Sequence, residues 1–445
     1  MESILIKTAQ LLLSLSILVV LHEFGHFMFA RLFKTRVEKF YLFFNPWFSL
    51  FKMKKGETEY GIGWLPLGGY VKISGMIDES MDKEAMKLPP QPWEFRSKPA
   101  WQRLLIMLGG VLMNFIFAMV IYIAVLYAWG ETYLPTKNVV YGIEVNETGE
   151  NIGFKNGDKI LSVDHQYIDD FGKILHAIIL DNAKTVQVVR DGEEIDVEIS
   201  DADLALLLKS KEVISYRKPF EIKVGNLAKG YPAEAAGLQK DDEFTAVDGQ
   251  HFDYYDQFAN YLQSKKNEEV KLELKRDGNT ITKDVVVNED GKLGFNPIFT
   301  NLDMFKLKTL KYNFLGSIPV GIKMGAQTTG DYLKQFKLFF KKDTKAYESL
   351  GGFATIGSIF PGSWDWYSFW RMTAFISIIL AIMNLLPIPA LDGGHVMFLV
   401  GEMVTGRKPN EKFLEYAQIV GMVLLLALVL YANANDIIKM LNGTF

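Results

Sequence analysis

Apolar residues are concentrated toward the two ends of the chain. Four stretches have the roughly 20 apolar residues that a helix needs to cross the hydrocarbon core of a bilayer. Charged residues gather between the second stretch and the third. The pattern predicts an α-helical membrane protein with four transmembrane helices, which we place, with their flanking residues, at 1–33, 104–128, 366–400 and 411–432.

The chain between the second and third spans contains a sequence repeat. Gly153–Asp164 aligns with Gly237–Asp248, and Arg190-Asp191-Gly192 aligns with Arg276-Asp277-Gly278, at an offset of about 85 residues. Each Arg-Asp-Gly lies between two strand-like segments, as in a hairpin closed by an Asp-Gly turn. The repeat therefore predicts two similar units of mixed strand and helix.

The repeated pattern resembles PDZ domains. We predict tandem PDZ-like (α+β) domains at 129–218 and 219–300. Domains of this kind bind extended peptides by adding a strand at a sheet edge. Because a fold does not imply an occupied site, a role as spacers or size filters is an equal alternative.

Two further segments are predicted to lie at the membrane. The loop at 34–103 contains 59–73, where apolar residues alternate with glycine, which predicts a membrane-associated β-hairpin; a plain cytoplasmic hairpin is the alternative. The segment 301–365 interleaves lysine with aromatic residues, which is typical of helices at a membrane surface. Its role as a gate or as a linker stays open.

Basic residues indicate the orientation in the membrane. Lysine and arginine cluster after the first span, from Arg31 to Lys55, and again between the third and fourth spans, from Arg407 to Lys412. The positive-inside rule places these loops in the cytoplasm. We therefore predict a multi-pass protein of the bacterial inner membrane, with its PDZ-like domains in the periplasm.

Composition excludes several classes of function. The chain has 48 Lys and Arg against 52 Asp and Glu, a net charge of −4, so nucleic acid is not a predicted partner. It contains no cysteine, which excludes disulfide scaffolds, thiol nucleophiles and cysteine-bound metals. A metal site in this protein must use histidine and carboxylate ligands.

The first span contains the sequence His22-Glu23-Phe24-Gly25-His26. On a helix, histidines at positions i and i+4 face the same way, so both imidazoles can bind one zinc ion. Glu23 lies beside them, where it can take a proton from the attacking water. Ionisable residues are costly in an apolar helix, so this group indicates a functional site.

A catalytic zinc usually has three protein ligands. The sequence from Asn384 to His395 interrupts the third apolar stretch with two prolines and a glycine pair, which indicates irregular backbone that lines protein or a watery cavity. Asp392 is the predicted third ligand, and His395 is the competing choice. The Asn384 amide is predicted to bind the scissile peptide or a developing oxyanion; an interhelical packing bond is the alternative.

Together, H-E-x-x-H in the first span and N-x-x-P-x-P-x-L-D-G in the third resemble the site-2 protease family of intramembrane zinc metalloproteases, over essentially the whole chain. The resemblance implies that His22, His26 and Asp392 bind Zn²⁺, that Glu23 is the general base and that Asn384 helps to hold the substrate. The chain departs from the family pattern in the second span, where Gly110-Val111-Leu112-Met113-Asn114 stands in place of Gly-Pro followed by Asn.

The resemblance also implies a function. The expected activity is hydrolysis of a peptide bond in or near the transmembrane helix of a single-span protein that has already been trimmed in the periplasm. Expected partners are an anti-sigma factor, remnant signal peptides, membrane lipid and peptide ligands of the PDZ-like domains. The alternative is a non-enzymatic PDZ-containing receptor or scaffold with a structural metal site. Glu23 discriminates the two, because a closed structural site has no use for this carboxylate.

Overall fold

The computed structural model describes residues 2–66, 68–76, 88–210, 213–303, 305–338 and 350–441. The chain forms two compact units, which are described separately. The described residues of one unit fall within 1–130, 311–336 and 347–445, and those of the other fall within 131–310 and 337–346.

The α-helices are numbered in chain order: α1 Glu2–Leu32, α2 Ala100–Ala128, α3 Glu147–Ile152, α4 Ile174–Leu180, α5 Asp201–Lys209, α6 Pro232–Ala235, α7 Tyr255–Ser264, α8 Phe314–Leu338, α9 Phe353–Ser358, α10 Trp366–Leu385, α11 Asp392–Thr405 and α12 Glu411–Leu441. The strands are β1 Val37–Leu42, β2 Phe44–Lys55, β3 Thr58–Leu65, β4 Tyr70–Ile73, β5 Glu131–Tyr133, β6 Ile143–Val145, β7 Lys159–Val163, β8 Thr185–Arg190, β9 Glu193–Glu198, β10 Ile214–Tyr216, β11 Ile222–Leu227, β12 Glu243–Val247, β13 Glu269–Arg276, β14 Asn279–Val286, β15 Phe295–Phe299 and β16 Lys308–Leu310.

Among its described residues, the first unit contains four helices that are long and apolar enough to cross a membrane. They are α1, α2, α10 and the part of α12 from Lys412 to Leu441. Helices α1 and α2 approach closely through glycine, since a Cβ on Gly109 would lie 2.5 Å from the Gly25 carbonyl oxygen. The predicted set of four apolar helices together with β-structure is therefore present.

The third predicted span, at 366–400, contains the break that its proline and glycine residues predict, and a second helix follows that break. Helix α10 ends at Leu385, and α11 begins at Asp392. Pro387 and Pro389 have no backbone N–H to continue the helix, so the chain leaves it here. The result is an irregular turn between two helices, with the motif residues at its end.

The predicted hairpin at 59–73 is wrong in its strand pairing. Strands β3 and β4 are not neighbours, because β1 lies between them in a four-stranded sheet of order β2-β3-β1-β4. Strand β1 pairs in parallel with β3 and antiparallel with β4. A parallel pair has no tight turn to mark it in the sequence, so the local turn signals indicated the wrong partner. Leu67 lies outside the described residues.

Helix α8 lies within the region 301–365 that was predicted as a surface segment. A Cβ on Gly321 would lie 2.6 Å from Ile123 Cγ1, so the helix packs directly against α2. Met324 and Tyr332 extend this contact to a buried cluster of α2 and α10. Residues 304 and 339–349 of the predicted segment lie outside the described part of the chain.

The second unit contains two similar β-structures. The first has a three-stranded sheet of order β7-β8-β9, and the second has a five-stranded sheet of order β14-β13-β12-β11-β15. Each sheet contributes to its own buried apolar core. Short pairs β5–β16 and β6–β10 complete the unit.

Equivalent ion pairs occur at the repeated positions of the sequence. Arg190 Nε and Nη2 donate to the two carboxylate oxygens of Asp158, and Arg276 does the same to Asp242, with all four distances 2.7 Å. Both arginines also donate to a backbone carbonyl, that of Gly153 or its counterpart in the second repeat. The aligned sequences therefore form the same local structure twice.

The Asp242 carboxylate is almost fully buried. Burial disfavours the charged form, but the hydrogen bonds from Arg276 and the Gln239 backbone, together with the Arg276 charge, outweigh this effect and lower the pKa of Asp242 below its usual value. A lowered pKa gives stability that is fully present above the unfolded pKa of about 4 and is lost as the pH falls through the folded value. The ion pair therefore stabilises the second repeat at neutral pH.

We expect Asp242→Asn to lower the unfolding free energy of the second repeat by about 3 kcal/mol, because it leaves Arg276 without its buried partner. Hydrogen exchange of slow amides in β13 measures this quantity. The control is Asp241→Asn, since Asp241 is exposed and Asn tolerates its φ of 70°. Equal exchange in the two variants would contradict the prediction, as would an Asp242→Asn effect that persists unchanged well below pH 4.

Candidate metal centre

Helix α1 presents two histidines on one face. His22 Nε2 and His26 Nε2 are 3.2 Å apart, and their rings are nearly perpendicular, at 81°. Both side chains are largely buried, with exposed fractions of 12% and 9%. The spacing of one helical turn thus brings two imidazole nitrogens to the same point.

Asp392 completes a triangle of ligand atoms. It is the first residue of α11, and its Oδ2 lies 3.1 Å from His22 Nε2 and 3.3 Å from His26 Nε2. These three residues form a group able to hold a metal ion. The sequence candidates His22, His26 and Asp392 therefore lie together.

The triangle fits a zinc ion. Zinc bonds of about 2.0–2.1 Å in tetrahedral geometry set neighbouring ligand atoms about 3.3 Å apart, which matches the observed separations. Asp392 Oδ2 is buried, and no donor among the described residues meets hydrogen-bond geometry toward it. Two imidazoles and one carboxylate are also a donor set that zinc prefers in catalytic sites.

The far nitrogens of the two histidines contact α2. His26 Nδ1 lies 2.8 Å from the Ile106 carbonyl oxygen, which can only accept, so Nδ1 carries the proton and Nε2 presents its lone pair. His22 Nδ1 lies 3.3 Å from the Asn114 amide. Asn114 Oδ1 has no partner among the described residues, and a half-turn of the amide lets it accept from Nδ1–H.

Asn114 is thus a positioning residue that the sequence prediction missed. It is fully buried, and its backbone carbonyl accepts a 2.8 Å hydrogen bond from Ser377 of α10. The available signal was that it is the polar residue of an otherwise apolar second span. Its partner could not be read from the sequence, because the contact joins residues of different helices.

We expect Asn114→Leu to weaken zinc binding about 10- to 100-fold, since it removes the hydrogen bond that orients His22. Leucine is branched at the same atom as asparagine but is larger and has no hydrogen-bonding group. Asn114→Asp keeps an acceptor for Nδ1–H and serves as the matched control. Competition with a chelator measures the zinc affinity of each variant. Equal zinc binding by wild type and Asn114→Leu would contradict a positioning role for Asn114.

The turn between α10 and α11 positions Asp392 beside the two histidines. Ala390 has a φ of 80°, a left-handed conformation that is costly for a residue with a Cβ. A Cβ on Gly394 would lie 2.7 Å from the Ile388 carbonyl oxygen, so glycine is required where α11 folds back against the turn. Strain of this kind is typical of sites whose geometry serves a function.

A cavity of about 570 Å³ opens beside the three ligand atoms. Its walls include Glu23, Asn384, His395 and the whole of β4. Asn384 Nδ2 lies 3.5 Å from His22 Nε2, so this amide is within reach of a group bound at the triangle. His395, the competing ligand in the sequence prediction, lines the cavity but does not belong to the triangle of ligand atoms.

Glu23 lines the same cavity as the ligand triangle and lies beside the sheet. It is partly buried, and a Cβ on Gly69 would lie 3.6 Å from Glu23 Cγ, so the backbone leading into β4 passes directly beside it. The cavity therefore combines a carboxylate, a carboxamide and an outer strand edge around one candidate metal position. This arrangement suits hydrolysis of a bond in an extended chain.

Known proteins support this chemistry. The profile of Peptidase family M50 matches residues 10–428. A regulator of sigma E protease from Haemophilus influenzae is 28% identical over 98% of this chain and 100% of that protein. A protease RseP from Yersinia pestis is 28% identical over 98% of this chain and 99% of its own length. A Neisseria meningitidis protein that carries a zinc metalloprotease name is 28% identical over 96% of this chain and 97% of its own length.

These relatives agree with our prediction that the chain is most similar to the bacterial regulator of sigma-E protease. The predictions of an enzyme, a metalloprotease and a zinc cofactor are confirmed by the family and by the relatives' names. The apolar helices agree with a membrane-embedded enzyme. The chain belongs to Peptidase family M50, the site-2 protease family of intramembrane zinc proteases.

Proposed function

We propose that this chain hydrolyses a peptide bond within or beside the transmembrane helix of a single-span membrane protein. The observation that carries the proposal is the position of Glu23, beside three converging ligand atoms and within an apolar helix. A cluster of ionisable residues within a membrane-spanning helix is expected to act on a substrate that also lies in the membrane.

Each residue of the centre has a proposed role. His22, His26 and Asp392 would hold zinc, which, when bound, supplies Lewis-acid activation of water and of a carbonyl oxygen. Glu23 takes the proton of the attacking water and returns it to the leaving amide nitrogen. Asn384 donates its amide N–H to the carbonyl oxygen as negative charge develops there.

The sheet is proposed to hold the substrate in an extended form. A peptide bond inside a helix is protected by its hydrogen bonds, so the substrate must unwind before hydrolysis. Strand β4 is an outer strand of its sheet and lines the cavity. In the part of the chain that the structure describes, β4 has a strand partner on one side only. Its other edge can pair with an unwound segment by strand addition, which supplies the segment's backbone hydrogen bonds away from water.

The far end of the same sheet supports its association with the membrane. Strand β2 exposes large apolar side chains, and Trp47 is 90% exposed. Exposed apolar surface of this kind marks a site of contact with lipid or protein. The exposed members are Trp47, Phe48, Leu50, Phe51 and Met53.

We further propose that the second unit consists of tandem PDZ-like domains in the periplasm, with both chain ends of this multi-pass protein on that side. Two arrangements of antiparallel strands with equivalent ion pairs support the duplication. Size exclusion of untrimmed substrates fits the second domain better than peptide capture. Its outer strand β15 contains Pro297. The Thr300 N–H donates inward to the Glu221 carbonyl oxygen, and because N–H groups alternate in direction along a strand, position 297 faces the outer edge. Proline has no N–H to donate from that position to an added strand.

For the physiological substrate, we propose an anti-sigma factor, by analogy with relatives named regulator of sigma E protease. Remnant signal peptides are a second substrate of the same form. The test uses purified full-length protein in detergent with a tagged single-span substrate, and maps the products by mass spectrometry. Zinc-dependent cleavage within or beside the span supports the function. A zinc-loaded protein that leaves accessible substrate intact supports the receptor or scaffold alternative instead.

A further inference from the structure

Helix α12 packs against the part of the chain that carries Asp392. A Cβ on Gly421 of this helix would collide with the Pro389 carbonyl oxygen, so the two backbones are in direct contact. Pro389 belongs to the turn that leads into α11. Phe413 of α12 also contacts Phe398 of α11 edge to face, with 5.7 Å between the ring centroids. The fourth apolar helix is therefore held beside the metal centre.

One polar side chain of α12 faces the cavity of the metal centre. Gln418 lies three residues before Gly421, so the two share one face of the helix. Among the described residues that line the 570 Å³ cavity, Gln418 is the one that α12 contributes. It is half-buried, whereas Tyr416 and Val420 beside it in the chain are 69% and 64% exposed. The side chain thus points inward from the exposed part of the helix.

The Gln418 carboxamide has no protein partner. No hydrogen bond joins it to any residue that the structure describes. Carboxamides of other spans are paired: Gln10 donates a 2.9 Å hydrogen bond to the Pro361 carbonyl oxygen, and Asn114 lies 3.3 Å from His22. The donor and acceptor of Gln418 are therefore available to a molecule that enters the cavity.

A carboxamide matches the backbone of an unwound peptide. Away from water, a peptide N–H or carbonyl without a partner is costly, so an extended segment within the membrane needs hydrogen bonds from the enzyme. The side chain of glutamine carries an N–H donor and a carbonyl acceptor, which are the two groups of a peptide bond. It is also neutral, so its donor and acceptor suit a peptide group better than a charged side chain.

We propose that Gln418 binds the backbone of the unwound substrate segment, donating to a carbonyl oxygen and accepting from an N–H. The inference rests on the proposed proteolytic function and adds a substrate-binding residue from the fourth apolar helix. Because the contact is to backbone, recognition at this point is independent of the substrate's side chains. Gln418 takes no part in metal binding or in proton transfer.

The first test is Gln418→Met, which keeps an unbranched side chain of similar length but removes the donor and the acceptor. With full-length protein in detergent and a tagged single-span substrate, we expect kcat/KM to fall about five- to tenfold, mainly through KM, as for the loss of one or two hydrogen bonds. Zinc content should be unchanged. Tyr416→Phe is the matched control, because it removes an exposed hydroxyl of the same helix outside the cavity lining, and it should behave as wild type.

Semi-synthetic substrates then test whether the contact is to backbone. After the cut is mapped, an ester replaces one peptide bond at a time along the unwound segment, the scissile bond excepted. Each ester removes an N–H and weakens the carbonyl as an acceptor. At the contacted position, we expect the ester to slow wild type but not Gln418→Met, so the two changes are not additive. Additive effects at every position would overturn the proposal, as would coupling of Gln418 to a substrate side chain alone.

The remaining outcomes separate this proposal from the proteolytic function. Equal kcat/KM for wild type and Gln418→Met overturns the backbone contact and leaves the protease intact. Loss of zinc from Gln418→Met would assign Gln418 to support of the metal centre and would also overturn it. If wild type cuts no substrate, the proteolytic function fails, and the affinities of the two proteins for the uncut substrate decide the contact. Equal affinities would overturn it.

Discussion

Glu23→Gln should retain zinc and still lose cleavage by about 10²- to 10⁴-fold, the usual effect of removing a general base. Glutamine has the shape of glutamate but cannot accept the proton of the attacking water. Because Glu23 is not one of the three converging ligands, the loss should appear in kcat with little change in zinc affinity.

The control for this variant is Glu57→Gln, which removes the carboxylate of an exposed residue of the turn between β2 and β3. It should cleave at the wild-type rate. A Glu23→Gln protein that cleaves as fast as wild type would show that another group accepts the proton. Loss of zinc from Glu23→Gln would instead show that this carboxylate helps to bind the metal.

Gly110→Ala should remove zinc from the centre and reduce cleavage by at least about 100-fold. A Cβ at this position of α2 would lie 2.6 Å from both His22 Cε1 and His26 Nε2. Neither ring can retreat freely, because Asp392 lies against both Nε2 atoms and Ile106 holds the far side of His26. Displacement of a catalytic group by about 1 Å is enough for a loss of this size.

Gly401→Ala is the matched control. Gly401 also lies within a helix, α11, but a Cβ there would meet nothing within 4 Å. Alanine should therefore stabilise that helix by up to about 1 kcal/mol and leave the zinc content unchanged. If Gly110→Ala binds zinc as well as Gly401→Ala does, the two helices are not packed as closely as described.

Much of the candidate metal centre is predictable from short segments of the sequence. The two histidines share a helix, so their spacing alone places them on one face. The Pro and Gly residues between Asn384 and Asp392 indicate a break in the third span, although the sequence did not show that α11 begins a second helix there. In each case the signal lies within one short segment of chain.

Contacts between distant segments were not predictable. The partnership of Asn114 with His22 and the parallel pairing of β1 with β3 join residues whose sequences show no local sign of each other. The close approach of Gly110 to the histidines is also a property of helix packing.

The proposed zinc centre depends on Asp392 as its third ligand. The most direct measurement is the zinc content of Asp392→Asn and His395→Asn, purified in parallel with wild type. We expect Asp392→Asn to lose most of its zinc and His395→Asn to retain it, because His395 lines the cavity outside the ligand triangle. A zinc-loaded Asp392→Asn beside a zinc-depleted His395→Asn would contradict this account of the centre.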